Sequence, residues 1–106
     1  MFAEADIQKA VDYLRDSATS AAEARAVRIY MEEFSKTVKA QVMAEKPDEA
    51  LGTQERRAYS SERYIQHLNA LKTAIFEDEK HRFLRQAAMA KVEAWRTQSA
   101  NERVPV

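Results

Sequence analysis

The chain has 106 residues, a single-domain length, and its seventeen basic and seventeen acidic side chains leave no net charge, which excludes a global electrostatic pull toward nucleic acid or anionic membrane. One glycine and two prolines in an Ala-, Glu-, Lys- and Arg-rich sequence exclude the turn-dense all-β classes and favour helix almost everywhere. With no cysteine there is no disulfide framework, no thiolate metal site and no cysteine nucleophile, in keeping with a reducing compartment.

The N-terminus, MFAEADIQKAVDYL, has no basic region followed by an apolar run, so it does not read as a signal peptide. No apolar stretch reaches the roughly 18–20 residues of a membrane span, and a cytoplasmic protein without membrane contact is expected. Ile7, Ala10, Val11 and Leu14 recur at helical spacing and predict a short amphipathic helix over about 4–16. It should end near DSATS, where Ser and Thr compete for backbone hydrogen bonds. Ser20 and Glu23 have capping-box spacing and would open a long helix over about 21–45. Val27, Met31, Phe34, Val38 and Val42 form its apolar stripe, with Tyr30 alongside; the two segments read equally as one bent helix.

KPDEALGT is the strong break and predicts a turn over 46–53. Pro47 disfavours helix at the residue before it, and Gly52 is the only glycine for a left-handed turn. A new start signal at Ser60-Ser61, or as early as Thr53, opens a last helix over about 60–99, with fraying from 101 to 105. At about 1.5 Å per residue that helix is about 57 Å long, which predicts an elongated object rather than a ball. The fold class is all-α: a long antiparallel helical hairpin with a short N-terminal helix.

At about 100° per residue, Tyr64, Leu68, Leu71, Ile75, Met89 and Val92 share one face of the last helix. Ile65, Phe76, Phe83, Ala87, Ala90 and Ala94 lie on a second, and Leu84, Ala88 and Trp95 extend onto a third. Apolar residues spread this widely imply several neighbours. A homo-oligomer is therefore expected, a dimeric or higher helical bundle with Leu68, Leu71, Ile75, Phe76, Phe83, Leu84, Met89 and Val92 at its interface.

Asp78, Arg82 and Arg85 interrupt the first of these faces. Three readings stay open. Asp78 and Arg82 form an i, i+4 pair on a solvated face, or the charges are buried and fix register between helices, or they form a binding surface. Residues 80–103 hold six basic and two acidic side chains, a net +4, while residues 1–79 carry a net −4, so the zero total conceals a basic end. Arg82, Arg85 and Arg96 fall within roughly 60° on the helical wheel. With Lys91, Arg103 and the indole of Trp95 they are the candidate contacts for phosphates and stacked bases of single-stranded DNA, or for an acidic partner protein.

Chemistry of other kinds finds little support. His67 and His81, the only histidines, are about 21 Å apart on one helix and cannot share a metal within a chain. Glu77 and His81 supply at most two ligands. No glycine-rich phosphate loop, nucleophile elbow or HExxH motif is present. Neither a cofactor nor enzyme activity is expected.

The tail, Arg82-x-x-Arg85, an Ala-rich turn, Val92-Glu93-Ala94-Trp95-Arg96-Thr97 and then Arg103, resembles the ends of small helical proteins of tailed bacteriophages and prophages. The resemblance covers about the last 45 residues, from SSERYIQHLNALKTAIF onward, and only loosely the helix before. Reading frames of this kind lie near genes for single-strand-annealing proteins, single-stranded-DNA-binding proteins and nucleases. It implies a setting accessory to phage DNA recombination or replication in the host cytoplasm, and carries no catalytic residues. The functional expectation is a non-enzymatic homo-oligomeric adaptor. A purely structural coiled-coil assembly protein and a small helical inhibitor of a host protein are the competing classes.

Overall fold

The computed structural model describes residues 2–103, which contain four α-helices and no strand. These are α1 (Glu4–Asp16), α2 (Ala18–Ala44), α3 (Leu51–Ser60) and α4 (Glu62–Glu102). Neither α2 nor α4 contains Gly or Pro, so nothing in their interiors lowers helix propensity sharply. No described helix is long and apolar enough to cross a membrane. The chain packs as two compact units, one of residues up to 22 with those from 79 onward, the other of residues 23–78.

In the unit of residues 23–78, α2 and α4 run antiparallel, with Arg28 meeting Asp78 and Ser35 meeting His67. The core is small: Val38, Val42 and Ala58, with Phe34, Met43 and Tyr64 packed around them. The loop after α2 is fastened by α3. Arg57 donates to the Val42 carbonyl at 2.7 Å, a second donor to an acceptor that also takes the Glu45 N–H at 3.2 Å in the last turn of α2, and pairs with Glu49 at 3.2 Å. Gln54 donates to the Glu49 carbonyl at 2.7 Å. Ser61 separates α3 from α4 by an extended residue (φ −68°, ψ 148°). Its hydroxyl donates to the Ala58 carbonyl at 2.7 Å and accepts the Tyr64 N–H at 3.2 Å, an N-cap for α4.

In the other unit, α1 lies antiparallel to the C-terminal part of α4. Ile7 and Ala10 of α1 and Ala88 of α4 are its buried apolar residues. Arg85 of α4 donates to the Leu14 carbonyl at 2.8 Å and to the Ser17 hydroxyl at 2.7 Å. Leu14 is in the last turn of α1, where carbonyls lack helical partners, so Arg85 serves as a C-terminal cap delivered from another helix.

Several elements differ from the sequence reading. Ser20 lies inside α2, so the capping box does not form. The joint is Ser17 instead, a single residue between two separate helices, where Ser17 N–H bonds to the Tyr13 carbonyl and Ala21 N–H to the Ser17 carbonyl. The turn expected over 46–53 is shorter, because α3 occupies Leu51–Ser60. Gly52 has no positive φ and sits in the first turn of α3. α4 continues to Glu102; of the fraying expected from 101 to 105, residues 104 and 105 lie outside the described residues.

Nothing lies within 4 Å of the place where a Cβ on Gly52 would stand. Gly52→Ala should therefore raise unfolding stability by about 0.5–1 kcal/mol by restricting the unfolded chain without a native clash, measurable by urea denaturation.

Candidate functional site

Along α4 the residues turned inward include Tyr64, His67, Leu71, Ala74, Asp78, His81, Arg85, Ala88, Val92 and Trp95, each buried or half-buried. The steps alternate three and four residues, the 3.5-residue period of a coiled-coil seam. Ile7, Ala10, Leu14 and Ser17 repeat the pattern in and just after α1, as do Arg28, Met31, Ser35, Val38 and Val42 in α2. A 3.5-residue seam drifts by ~20° per heptad against an ideal 3.6-residue helix. That drift keeps Arg85 and Val92 facing inward, and it leaves Leu68, Ile75 and Met89 beside the seam, more than a third exposed.

The interrupting charges separate into different roles. Asp78 is 8% exposed and pairs with Arg28 of α2, which also meets Glu32 at 3.0 Å. The hydrogen bond to Asp78 is the main reason that the Arg28 guanidinium is held above its ordinary pKa. The i, i+4 pairing of Asp78 with Arg82 does not form. Arg82 lies outside with Glu79 at 3.4 Å and its guanidinium 5.4 Å from the Phe83 ring centre. Arg85 is taken up by the end of α1. Two of the three charges are thus interior groups with fixed partners, and one is a surface charge.

The histidines also belong to the seam. His67 Nε2 lies 2.8 Å from the Met31 carbonyl and 2.9 Å from the Ser35 hydroxyl. A carbonyl only accepts, so Nε2 carries the proton and ties α4 to α2. His81 Nδ1 is buried without a hydrogen-bond partner. Among the described residues no group of three or more His, Asp or Glu is arranged to hold a metal ion.

Of the candidate binding residues, Trp95, Arg96 and Arg103 line one open groove on the last turns of α4, together with Glu93, Thr97 and Ser99. Arg96 is paired with Glu93 at 2.8 Å, and Trp95 is half-buried at a seam position. Lys91 lies elsewhere, on the rim of a groove between α1 and α4 whose floor is Ala10, Ala87 and Ala88. The structure therefore gathers three of the six and leaves Arg82, Arg85 and Lys91 apart.

The residues expected at an oligomer interface divide as well. Leu71 and Val92 are half-buried on the seam. Leu68, Ile75, Phe76, Phe83, Leu84 and Met89 are exposed, Phe76 to 63% and Phe83 to 59%. Sequence reasoning missed exposed apolar residues on α2: Val27 and Tyr30, placed on or beside the packing stripe, stand outside it, Tyr30 at 66%. Arg28 and Ser35 take the inward positions. The signal was the seven-residue recurrence of Ala21, Arg28, Ser35 and Val42, concealed because two of the four are polar.

Arg85→Ala and Arg82→Ala should separate a cap from a surface charge. Loss of two charged hydrogen bonds should cost Arg85→Ala about 2 kcal/mol of unfolding free energy. Removal of Arg82 should change it by no more than about 0.5 kcal/mol. Urea denaturation followed by circular dichroism reads both.

Comparison of the chain with protein-family models, with curated proteins and with solved structures finds no match.

Proposed function

We propose that the chain is a non-enzymatic helical assembly and adaptor protein that associates with copies of itself and offers the basic last turns of α4 to a partner. The observation that carries this reading is surface. The chain exposes 7867 Å², whereas a compact monomer of its mass exposes about 6,100 Å². Large apolar side chains are part of that surface: Val27, Tyr30, Ile65, Leu68, Phe76, Phe83, Leu84 and Met89 all face outward, and no large described side chain is fully buried. Exposed apolar surface on this scale marks interaction sites.

The resemblance of the last helix supplies a setting, phage DNA recombination or replication in a host cytoplasm. The partner is then a DNA-processing protein or single-stranded DNA. The arrangement of the arginines favours the protein. Arg85 is engaged inside the fold, and Arg82 and Arg96 sit beside Glu79 and Glu93. A phosphate chain would have to compete with those carboxylates, while an acidic patch on a protein needs only a few well-placed cations. The DNA reading draws on the groove that brings Trp95, Arg96 and Arg103 together, since an indole beside cations is how single strands are stacked and held.

Two measurements test this. Sedimentation velocity should return a mass of two or more chains; a single-chain mass at every concentration would end the self-assembly reading. Trp95 emission should stay unchanged when a short single-stranded oligonucleotide is added at near-physiological salt. Saturable quenching that weakens with salt, and is lost in Arg96→Ala/Arg103→Ala, would transfer the basic end from a protein partner to DNA.

A further inference from the structure

We infer that Arg85 is the wedge of a two-state joint: engaged, it holds α1 and α2 apart at Ser17, and released, it lets the two close into one helix. Nothing in the backbone chemistry of the segment requires a break. From Glu4 to Ala44 there is no Gly and no Pro. Ser17 itself is in the right-handed helical region, at φ −89° and ψ −5°, so a change of about 40° in ψ restores helix geometry. The helical bonds on either side are in place, Ser17 N–H to the Tyr13 carbonyl at 2.9 Å and Ala21 N–H to the Ser17 carbonyl at 2.9 Å. Missing between them are Ala18 N–H to Leu14 and Ser20 N–H to Asp16, either of which would carry the helix through Ser17.

The break coincides with the place where Arg85 enters. Its Nη1 donates to the Leu14 carbonyl at 2.8 Å, the acceptor that Ala18 would use, and to the Ser17 hydroxyl at 2.7 Å. Insertion of a side chain into the i→i−4 ladder is a known cause of helix kinks. The alternative origin is local, a serine hydroxyl that caps the first turn of α2. Ser17 stands at that position, but its hydroxyl is bonded to Arg85, and among the described residues it takes no N–H of α2. Charge-assisted bonds are roughly twice as strong as neutral ones, so the guanidinium outweighs the two backbone bonds that it displaces. Arg85 is half-buried, so its guanidinium can leave for water or for an anionic group without crossing a packed core. The consequence reaches the groove beside the joint. α1 supplies Asp6, Lys9 and Tyr13 to that groove, and α4 supplies Leu84, Ala87 and Lys91. A change in how α1 leaves Ser17 alters the spacing of these two walls, which makes the joint a control on the groove.

The test is residue-resolved amide hydrogen exchange by NMR on the full chain, on Arg85→Met and on Ser17→Ala. Methionine keeps an aliphatic stem and removes every donor. In the unsubstituted chain the Ala18 and Ser20 amides should exchange faster than that of Ala21, which is bonded. In Arg85→Met those two should slow at least about tenfold relative to Ala21, as a ladder closed about nine-tenths of the time requires, and the Ser17 Cα shift should move toward helical values. Ser17→Ala leaves Arg85 on the Leu14 carbonyl, so Ala18 should stay within about threefold of its original rate although alanine favours helix. This second variant tests the wedge even where Arg85→Met is too unstable to study. Slow Ala18 and Ser20 amides in the unsubstituted chain overturn the proposal, and so does closure of the ladder in Ser17→Ala alone, which would place the break in the serine. Fast Ala18 and Ser20 amides in a folded Arg85→Met overturn it too. Loss of protection throughout α1 in that variant would make Arg85 a fastening and not a wedge.

Discussion

A helix packed against a single neighbour can enclose very little, and this constraint governs the interior except where α3 joins α2 and α4 around Ala58. An inward side chain has one opposing helix above it and water on both flanks. Away from α3 the buried apolar residues are mostly small, Ala10, Ala74 and Ala88 with Ile7 beside them, while Val38, Val42 and Ala58 are enclosed where three helices meet. A large aromatic at such a position still reaches solvent along one edge, as Trp95 and Tyr64 do. Burial of apolar area at about 25 cal/mol per Å² thus yields less here than in a domain of the same length with a closed core. The exposed aromatics and aliphatics on the outer faces are the remaining share of the hydrophobic stabilisation, available only when something covers them.

Polar side chains at inward positions make sense under the same constraint. With solvent close on both flanks, a charged group at the seam is never taken fully out of water, and the desolvation penalty of a deep ion pair is avoided. Three of the polar residues on the α4 seam have a well-placed partner, Arg28 for Asp78, the Met31 carbonyl for His67 and the Leu14 carbonyl for Arg85, while the buried Nδ1 of His81 has none. Apolar contacts between helices are tolerant of sliding by a turn, whereas these bonds are not. A shift of one turn, about 5.4 Å along the axis, would break every one of them. Within each unit the register between antiparallel helices is therefore carried by the polar contacts, while apolar area supplies the attraction.

The sequence made helix against loop legible, and the inward face only partly so. The break around Pro47 and the start near Ser61 follow from local chemistry, a missing donor and a capping hydroxyl, and local chemistry is written in neighbouring residues. α3 was obscured because Gly52 and Thr53 argue against a helix that is held by Arg57 and Gln54 reaching back to the preceding loop. The face of α4 was misread for a different reason. A 100° wheel assigns Leu68 and Ile75 to the packing side, while the helix follows a 3.5-residue seam that keeps Leu71, Asp78 and Arg85 inward. The wheel also took polarity for exposure. Arg28 and Ser35 are inward because of their place in a seven-residue recurrence, and their partners on α4 lie more than thirty residues away in sequence.

The same distinction bears on how a basic stretch is to be read for function. A count of arginines between residues 80 and 103 treats them as one surface, yet their chemistry is set by what each already touches. An arginine whose guanidinium fills an open helix carbonyl has surrendered the donors that a phosphate would need, and removing it weakens the fold before it weakens any binding. An arginine on a solvated turn beside a glutamate keeps its donors, though the neighbouring carboxylate cancels much of its field beyond a Debye length of about 8 Å at physiological salt. The groove with Trp95, Arg96 and Arg103 brings cations and an aromatic onto one open surface. A partner that recognises this end of α4 must therefore act at short range on particular side chains, since the net charge of the stretch exerts little pull from a distance.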